Sequence, residues 1–196
     1  MTFDEQVKIY EERLAGCIKK SRLEHCQRVA AEMVKMASHW QKDKDKAFIA
    51  GLLHDVARYI SPEDTYKIAM EAGIYVGSEE LANSIILHAP VGAYILARDW
   101  EITDKEILTA VSGHTIAYPG MDTFSQLLYI ADVIEPGRVS WPALEKIRRL
   151  AYTDLNLAMA ETLASSFTWL ENKGISIHPI ACQAYEYFLE KVEKDK

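Results

Sequence analysis

Cysteine is scarce in this chain: Cys17, Cys26 and Cys182 are the only three, an odd number without the short paired spacing of a metal knuckle. A disulfide framework is excluded on that count, and a reducing compartment, the cytoplasm, is expected. Positive charge is scarce too, with 22 Lys and Arg against 29 Asp and Glu and a formal net charge of -7. No Lys/Arg cluster exceeds a pair, so an extended nucleic acid would find no basic face to bind. A small anionic partner stays compatible, because bound metal ions reverse the electrostatics of an acidic site. No apolar run approaches the roughly 18 residues of a membrane span, and Met1-Thr2-Phe3-Asp4-Glu5 has neither the basic nor the apolar region of an export signal. No membrane partner is expected. Also missing are Gly-x-Ser-x-Gly, Walker-type, Gly-x-Gly-x-x-Gly and His-Glu-x-x-His motifs, and strand-like runs paired around an Asn-Gly or Asp-Gly turn.

What remains is helical patterning from end to end, which predicts an all-α bundle of many short helices. The 196 residues, 49% hydrophobic and 26% charged, suit one domain spanning 1-196. A first helix is expected over 3-19, with Phe3, Val7, Tyr10, Leu14 and Ile18 along one face. Ser21-Arg22-Leu23-Glu24 reads as a capping box opening a second helix, and Ala47 to Ile60 as a helix carrying Gly51-Leu52-Leu53-His54-Asp55-Val56-Ala57-Arg58. Ser61-Pro62-Glu63-Asp64 starts another that Gly73 stops, and Ser78 to His88 forms the next. Thr103-Asp104-Lys105-Glu106 is a second capping box, and Asp122 or Thr123 caps a helix that Glu135-Pro136-Gly137-Arg138 breaks. Helices at 141-152, 153-173 and 179-194 complete the chain.

Within these apolar helices a few polar residues stand out. His54 and Asp55 lie side by side, about 100° apart around a helix, and burying both without a partner would be costly. His25, His88, His114 and Asp132 sit in other helices or at their ends. Singly, each has an ordinary structural explanation, though Asp132 falls badly at the negative end of its helix. Together the four His and two Asp form a mixed nitrogen and oxygen set suited to Fe, Mn, Zn or Ni. Six protein ligands exceed the needs of one zinc ion and suggest two metals sharing a carboxylate, with Asp55 as the natural bridge. His39 and His178 are left out, as a helix-end residue beside Trp40 and a helix-entry residue before Pro179; Cys26 reads as a small buried hydrophobe.

The order His25, His54-Asp55, His88, His114, Asp132 resembles the HD-domain metal-dependent phosphohydrolases. Further stretches, Arg22-Leu23-Glu24-His25, Ala50 to Asp55, His88-Ala89-Pro90-Val91-Gly92-Ala93, His114-Thr115, Pro119-Gly120-Met121 and Tyr129 to Arg138, resemble the YqeK family of bacterial symmetrical diadenosine tetraphosphate hydrolases. The resemblance implies an HD-domain bundle with its metal-binding core at about 21-138, completed by the helices of 141-194. It implies one metal on His25, His54, Asp55 and Asp132, a second on Asp55, His88 and His114, and iron as the expected ion, with manganese or another transition metal as alternatives. Asp55 and His54 are the implied catalytic centre, and Arg58, Arg138 and Thr115 the candidate substrate contacts. The implied reaction is hydrolysis of diadenosine tetraphosphate to two ADP by a water that two divalent or mixed-valence ions activate. Rival readings are another HD-superfamily hydrolase, of deoxynucleotides or guanosine polyphosphates, and a non-catalytic nucleotide-binding protein. A homodimer is the default assembly. The chain departs from the family pattern at Arg58, where a lysine is usual, and at Ala117-Tyr118, where a pair such as Gly-Arg commonly precedes the Pro-Gly loop.

Overall fold

Local capping decides where most of the helices begin. The structure, a computed structural model, describes residues 2-194, so Met1, Asp195 and Lys196 of the expected domain span lie outside the described residues. Thr2 caps α1 (Phe3–Ala15) through a reciprocal box with Glu5, and Asp43 caps α3 (Lys44–Leu53), which follows α2 (Lys20–His39). Ser61 caps α4 (Pro62–Glu71), and Gly73 adopts φ +67 just past its end, where an L side chain would be strained. Then come α5 (Ser78–Ala82), a 3-10 turn (Ser84–Leu87), α6 (His88–Asp99) and α7 (Lys105–Gly113), the last capped by Asp104. Asp122 caps α8 (Thr123–Ile134) and Asp154 caps α10 (Leu155–Asn172), with α9 (Leu144–Leu150) between them and α11 (Pro179–Lys194) closing the chain. Among the described residues there is no strand.

Several sequence expectations give way to tertiary structure. The box at Ser21-Arg22-Leu23-Glu24 does not form, because α2 already starts at Lys20 after an extended Lys19 with no side-chain cap. Burial of Ile18 ahead of it fixes where the chain turns, and α1 ends at Ala15 instead of running to 19. The second box is likewise replaced by Asp104 alone, which accepts from the backbone N–H of Glu106 and Ile107. The helix expected over 78-88 breaks at Asn83, whose φ of -145 and ψ of 83 are not helical. The expected helix through Ile60 stops at Leu53; Val56, Arg58 and Ile60 then donate to Leu53, Asp55 and Ala57 in successive tight turns. The His54-Asp55 pair therefore sits just past a helix end.

Helix α8 is apolar nearly all round, with Phe124, Leu127, Leu128, Ile130 and Ala131 fully buried, as a helix in the middle of a bundle must be. It packs against α2, α3, α7, α9 and α10. Helices α2 and α3 approach closely at Gly51 of α3, where an added Cβ would fall 2.6 Å from Ala30 Cα and 2.8 Å from Ala30 N of α2. These neighbours are backbone and cannot rotate away, so only glycine lets α3 lie this near α2. We predict that Gly51→Ala lowers stability by about 1–3 kcal/mol, as overpacking does, despite the better helix propensity of alanine. Urea denaturation of the two proteins side by side checks this, the midpoint of the variant falling.

Candidate metal centre

Three of the site's histidines share one local device. His54 follows α3, His114 follows α7 and His88 follows the 3-10 turn, and each ring folds back so that Nδ1 meets the carbonyl three residues earlier. His54 Nδ1 lies 2.8 Å from Gly51 O and His114 Nδ1 lies 2.7 Å from Val111 O, while His88 Nδ1 meets Ile85 O. A carbonyl oxygen has two lone pairs, so it can take the ring N–H, at Ile85 and Val111 in addition to the histidine's own backbone N–H. A carbonyl can only accept, so each Nδ1 carries the proton and the neutral ring's Nε2 is left with a lone pair. His25, inside α2, reaches the same state by another route: its Nδ1 donates to Glu135 Oε1 at 3.1 Å.

All four Nε2 atoms converge on two carboxylates. His88 Nε2 is 2.9 Å and His114 Nε2 3.7 Å from Asp55 Oδ1, and the two nitrogens are 3.1 Å from each other. On the other side of Asp55, His54 Nε2 is 3.3 Å from Oδ2 and 3.9 Å from Asp132 Oδ1, which lies 2.9 Å from His25 Nε2. Lone pairs thus face lone pairs, and the buried Nε2 atoms of His25 and His54 have no hydrogen-bond partner at all. Leaving such groups unsatisfied is costly, and a cation is what the donor set fits. Two groups, His25-His54-Asp55 and Asp55-His88-His114, have their ligand atoms within 4.8 Å of one another, with Asp55 common to both.

Burial works against ionising Asp55, but without a cation the charge of His54 and hydrogen bonds from His114, His54 and His88, which need a proton on Nε2, outweigh it and hold its carboxyl well below the usual range; a bound cation would take the place of those protons. Asp132 is likewise lowered against burial, by His25, His54 and Arg138. Burial depresses the pKa of His114 and so favours its neutral form. Anionic oxygens and a neutral imidazole are what metal ligation requires.

Of the candidate substrate contacts, Arg138 donates to the Asp132 carbonyl at 2.9 and 2.7 Å and to its carboxylate at 2.6 Å. Its fork clasps one of the candidate ligands. The Thr115 hydroxyl donates to Ile86 O at 3.0 Å. Both line a cavity of about 1230 Å³, together with Asn83, Tyr129, Trp141 and Trp169. Arg58 lines neither this cavity nor a smaller one on the α6 and α7 side, and its buried Nη1 has no hydrogen-bond partner. His39 stacks edge-on against Trp40 and Tyr152, and His178 caps α11 while facing Glu80, both outside the cluster.

Sequence reasoning gave no role to Arg22, Arg28 and Glu135. Arg22 donates to Asp55 Oδ2 at 3.0 Å. Glu135, 1% exposed, accepts from His25, from Arg28 Nε at 2.6 Å and from the Gly137 backbone. One signal was available: Arg22, His25 and Arg28 recur at three-residue spacing and therefore share a helix face.

The HD domain family model matches residues 22–137 of the chain. A symmetrical bis(5'-nucleosyl)-tetraphosphatase of Bacillus subtilis is 33% identical over 91% of this chain and 97% of its own length. One of Staphylococcus aureus is 33% identical over 91% and 93%. A solved structure from Clostridium acetobutylicum, described as a predicted HD superfamily hydrolase involved in NAD metabolism, superposes with a TM-score of 0.90 at 29% identity, covering 97% of this chain and 98% of that one. The chain belongs to the HD domain family and, within it, to the family of the symmetrical bis(5'-nucleosyl)-tetraphosphatases.

The His25–Glu135 contact generates a prediction. Carboxylates that orient a ligating imidazole are typically worth about 10–100-fold in metal affinity or activity. Glu135→Gln is expected to weaken metal binding by that factor, measured by competition of the purified protein with a chromogenic chelator.

Proposed function

We propose that this chain hydrolyses diadenosine tetraphosphate at its central phosphoanhydride, releasing two ADP. The observation that carries this is the pair of ligand clusters sharing one buried carboxylate, Asp55, beside a cavity large enough for a long polyphosphate substrate. His25, His54, Asp55 and Asp132 would hold one ion and Asp55, His88 and His114 the other, and we propose iron as the metal. When bound, the ions supply Lewis-acid activation of a water and neutralise charge on the phosphoryl group. We read residues 1-196 as one domain, acting in the cytoplasm as a symmetric dimer.

The protein's own groups do the positioning. Asp55 lies between the two histidine sets and accepts a hydrogen bond from Arg22 at 3.0 Å, which orients the carboxylate. The Nδ1–H bonds of His54, His88 and His114 fix their rings, so their Nε2 atoms stay aimed at the same volume. Arg138 clasps Asp132 and at the same time lines the cavity, leaving a guanidinium charge beside the path of a polyphosphate. Thr115 lines the same wall, its hydroxyl oxygen still able to accept. Arg58 is the remaining phosphate contact we propose, on the strength of its adjacency to the His54-Asp55 turn and its unpaired Nη1.

The central test is incubation of metal-loaded protein with a panel of dinucleoside polyphosphates, deoxynucleotides and guanosine polyphosphates, with products resolved by chromatography. Diadenosine tetraphosphate giving ADP alone is expected. Loss of turnover exceeding about 100-fold is expected for Asp55→Ala, since even partners outside the ligand set are worth about 10–100-fold. A His54→Ala, Asp55→Ala variant that still cleaves at the wild-type rate would refute the mechanism. For Arg58→Ala the expected change is a rise in KM with kcat little altered, because it removes binding common to ground and transition state.

A further inference from the structure

The cavity beside the metal centre is longer than the cluster requires. At about 1230 Å³ it exceeds the range of about 300–1,000 Å³ common for drug-sized ligands. Its lining includes Thr115, which follows His114 in sequence, and Arg138, which bonds Asp132. Its wall also follows α10 outward from Thr162 to Asn172, a rise of about 15 Å at 1.5 Å per residue. At the outer end stand Trp169, Asn172 and Ile175, the last just past Gly174, whose φ of +67 turns the chain after α10.

Trp169 is 57% exposed, in the outer half of α10, whose buried residues all lie at or before Leu163. Ile175 beside it is 37% exposed. Trp141, by contrast, lies deeper and its indole N–H is taken up by Ser165 Oγ at 3.1 Å. An exposed indole on a cavity rim, with a carboxamide three residues on along the same helix face, offers a stacking surface and a hydrogen-bonding group for a purine. A substrate cleaved at its centre must place one nucleoside on each side of the scissile bond, several bonds from it. The stretch of α10 that lines this cavity, about 15 Å from Thr162 to Asn172, offers such a separation along its wall.

We propose that Trp169, with Asn172, forms the subsite for one of the two adenosines, so that this rim selects dinucleoside tetraphosphates over tetraphosphates bearing a single nucleoside. The proposal rests on the hydrolase reading above and names the part of the site that recognises the second nucleoside. Trp169 is a specificity residue, remote from the bond that breaks.

The experiment compares kcat/KM for diadenosine tetraphosphate, which yields two ADP, with that for adenosine 5'-tetraphosphate, which yields ADP and pyrophosphate, in the metal-loaded full chain. Stacking of a base on an aromatic side chain is worth enough to predict that Trp169→Ala reduces the ratio of the two values about ten-fold, while Trp169→Phe restores most of it. The molar mass of each protein in solution is measured alongside. A ratio unchanged by Trp169→Ala overturns the proposal. So does an equal fall for both substrates together with a changed molar mass, which would make Trp169 a contact between copies of the chain. If the wild-type protein cleaves neither substrate, the hydrolase reading itself fails, an outcome distinct from either of these.

Discussion

Asp55 imposes the constraint on which the rest of the site depends. A carboxylate 2% exposed cannot stay ionised unless charge and hydrogen bonds replace the water it has lost. Here Arg22 on α2 donates to it directly, while His54 beside it in sequence, His88 at the start of α6 and His114 at the end of α7 bring their Nε2 atoms within reach of it, where a proton or a cation held between them supplies the rest. Every one of these groups must arrive from a different helix end or face, so the carboxylate can exist only if the bundle is assembled. The same fact read from the histidines gives the second half of the constraint. With each Nδ1 proton committed to a carbonyl or carboxylate, their Nε2 lone pairs repel one another unless a cation joins them.

The backbone serves that assembly through a close contact. Gly51 lets α3 rest on Ala30 of α2, and the chain leaves α3 two residues later, so the short distance between these helices sets the separation of His25 from His54. Their rings stand 5.5 Å apart, edge to face, and His54 repeats the arrangement with His114 at 4.9 Å. Ending a helix where the ligand is needed has a further benefit. A residue at a helix end can turn its ring back onto a carbonyl of the last turn, as His54, His88 and His114 do. His25 is the one mid-helix histidine of the four, and it alone uses a side chain, Glu135, to fix its ring.

This contrast explains what the sequence could and could not reveal. His25, His54, Asp55, His88, His114 and Asp132 were legible as polar exceptions in apolar helices, and the structure gathers them in one place. Caps at Ser61 and Asp122 were legible because the bond that makes a cap spans three residues. Glu135 was not, because its role depends on a residue 110 positions away, and its own neighbourhood reads as nothing more than a helix stop. The length of α3 was misjudged for a related reason. Local propensity from Ala47 to Ile60 favours helix, and only the tertiary demand on His54 and Asp55 ends it at Leu53.

The turn after α8 shows how much a short segment carries. Asp132 lies in the last turn of that helix, where the dipole disfavours a negative charge. Arg138 reaches back from the turn to bond both its carboxylate and its backbone carbonyl, neutralising the charge and closing the helix end with one side chain. Between them Pro136 prevents the helix from continuing, and Gly137, having no Cβ, leaves room for the Arg28 guanidinium, which a Cβ there would meet at 2.3 Å. Arg28 in turn holds Glu135 against His25. The two halves of the site are therefore supported differently: His25, Asp132 and Glu135 stand in a lattice of ion pairs, while the Nδ1 atoms of His88 and His114 are held by backbone carbonyls. Asp55 joins the two, which makes it the one residue through which a change on either side must be felt by the other.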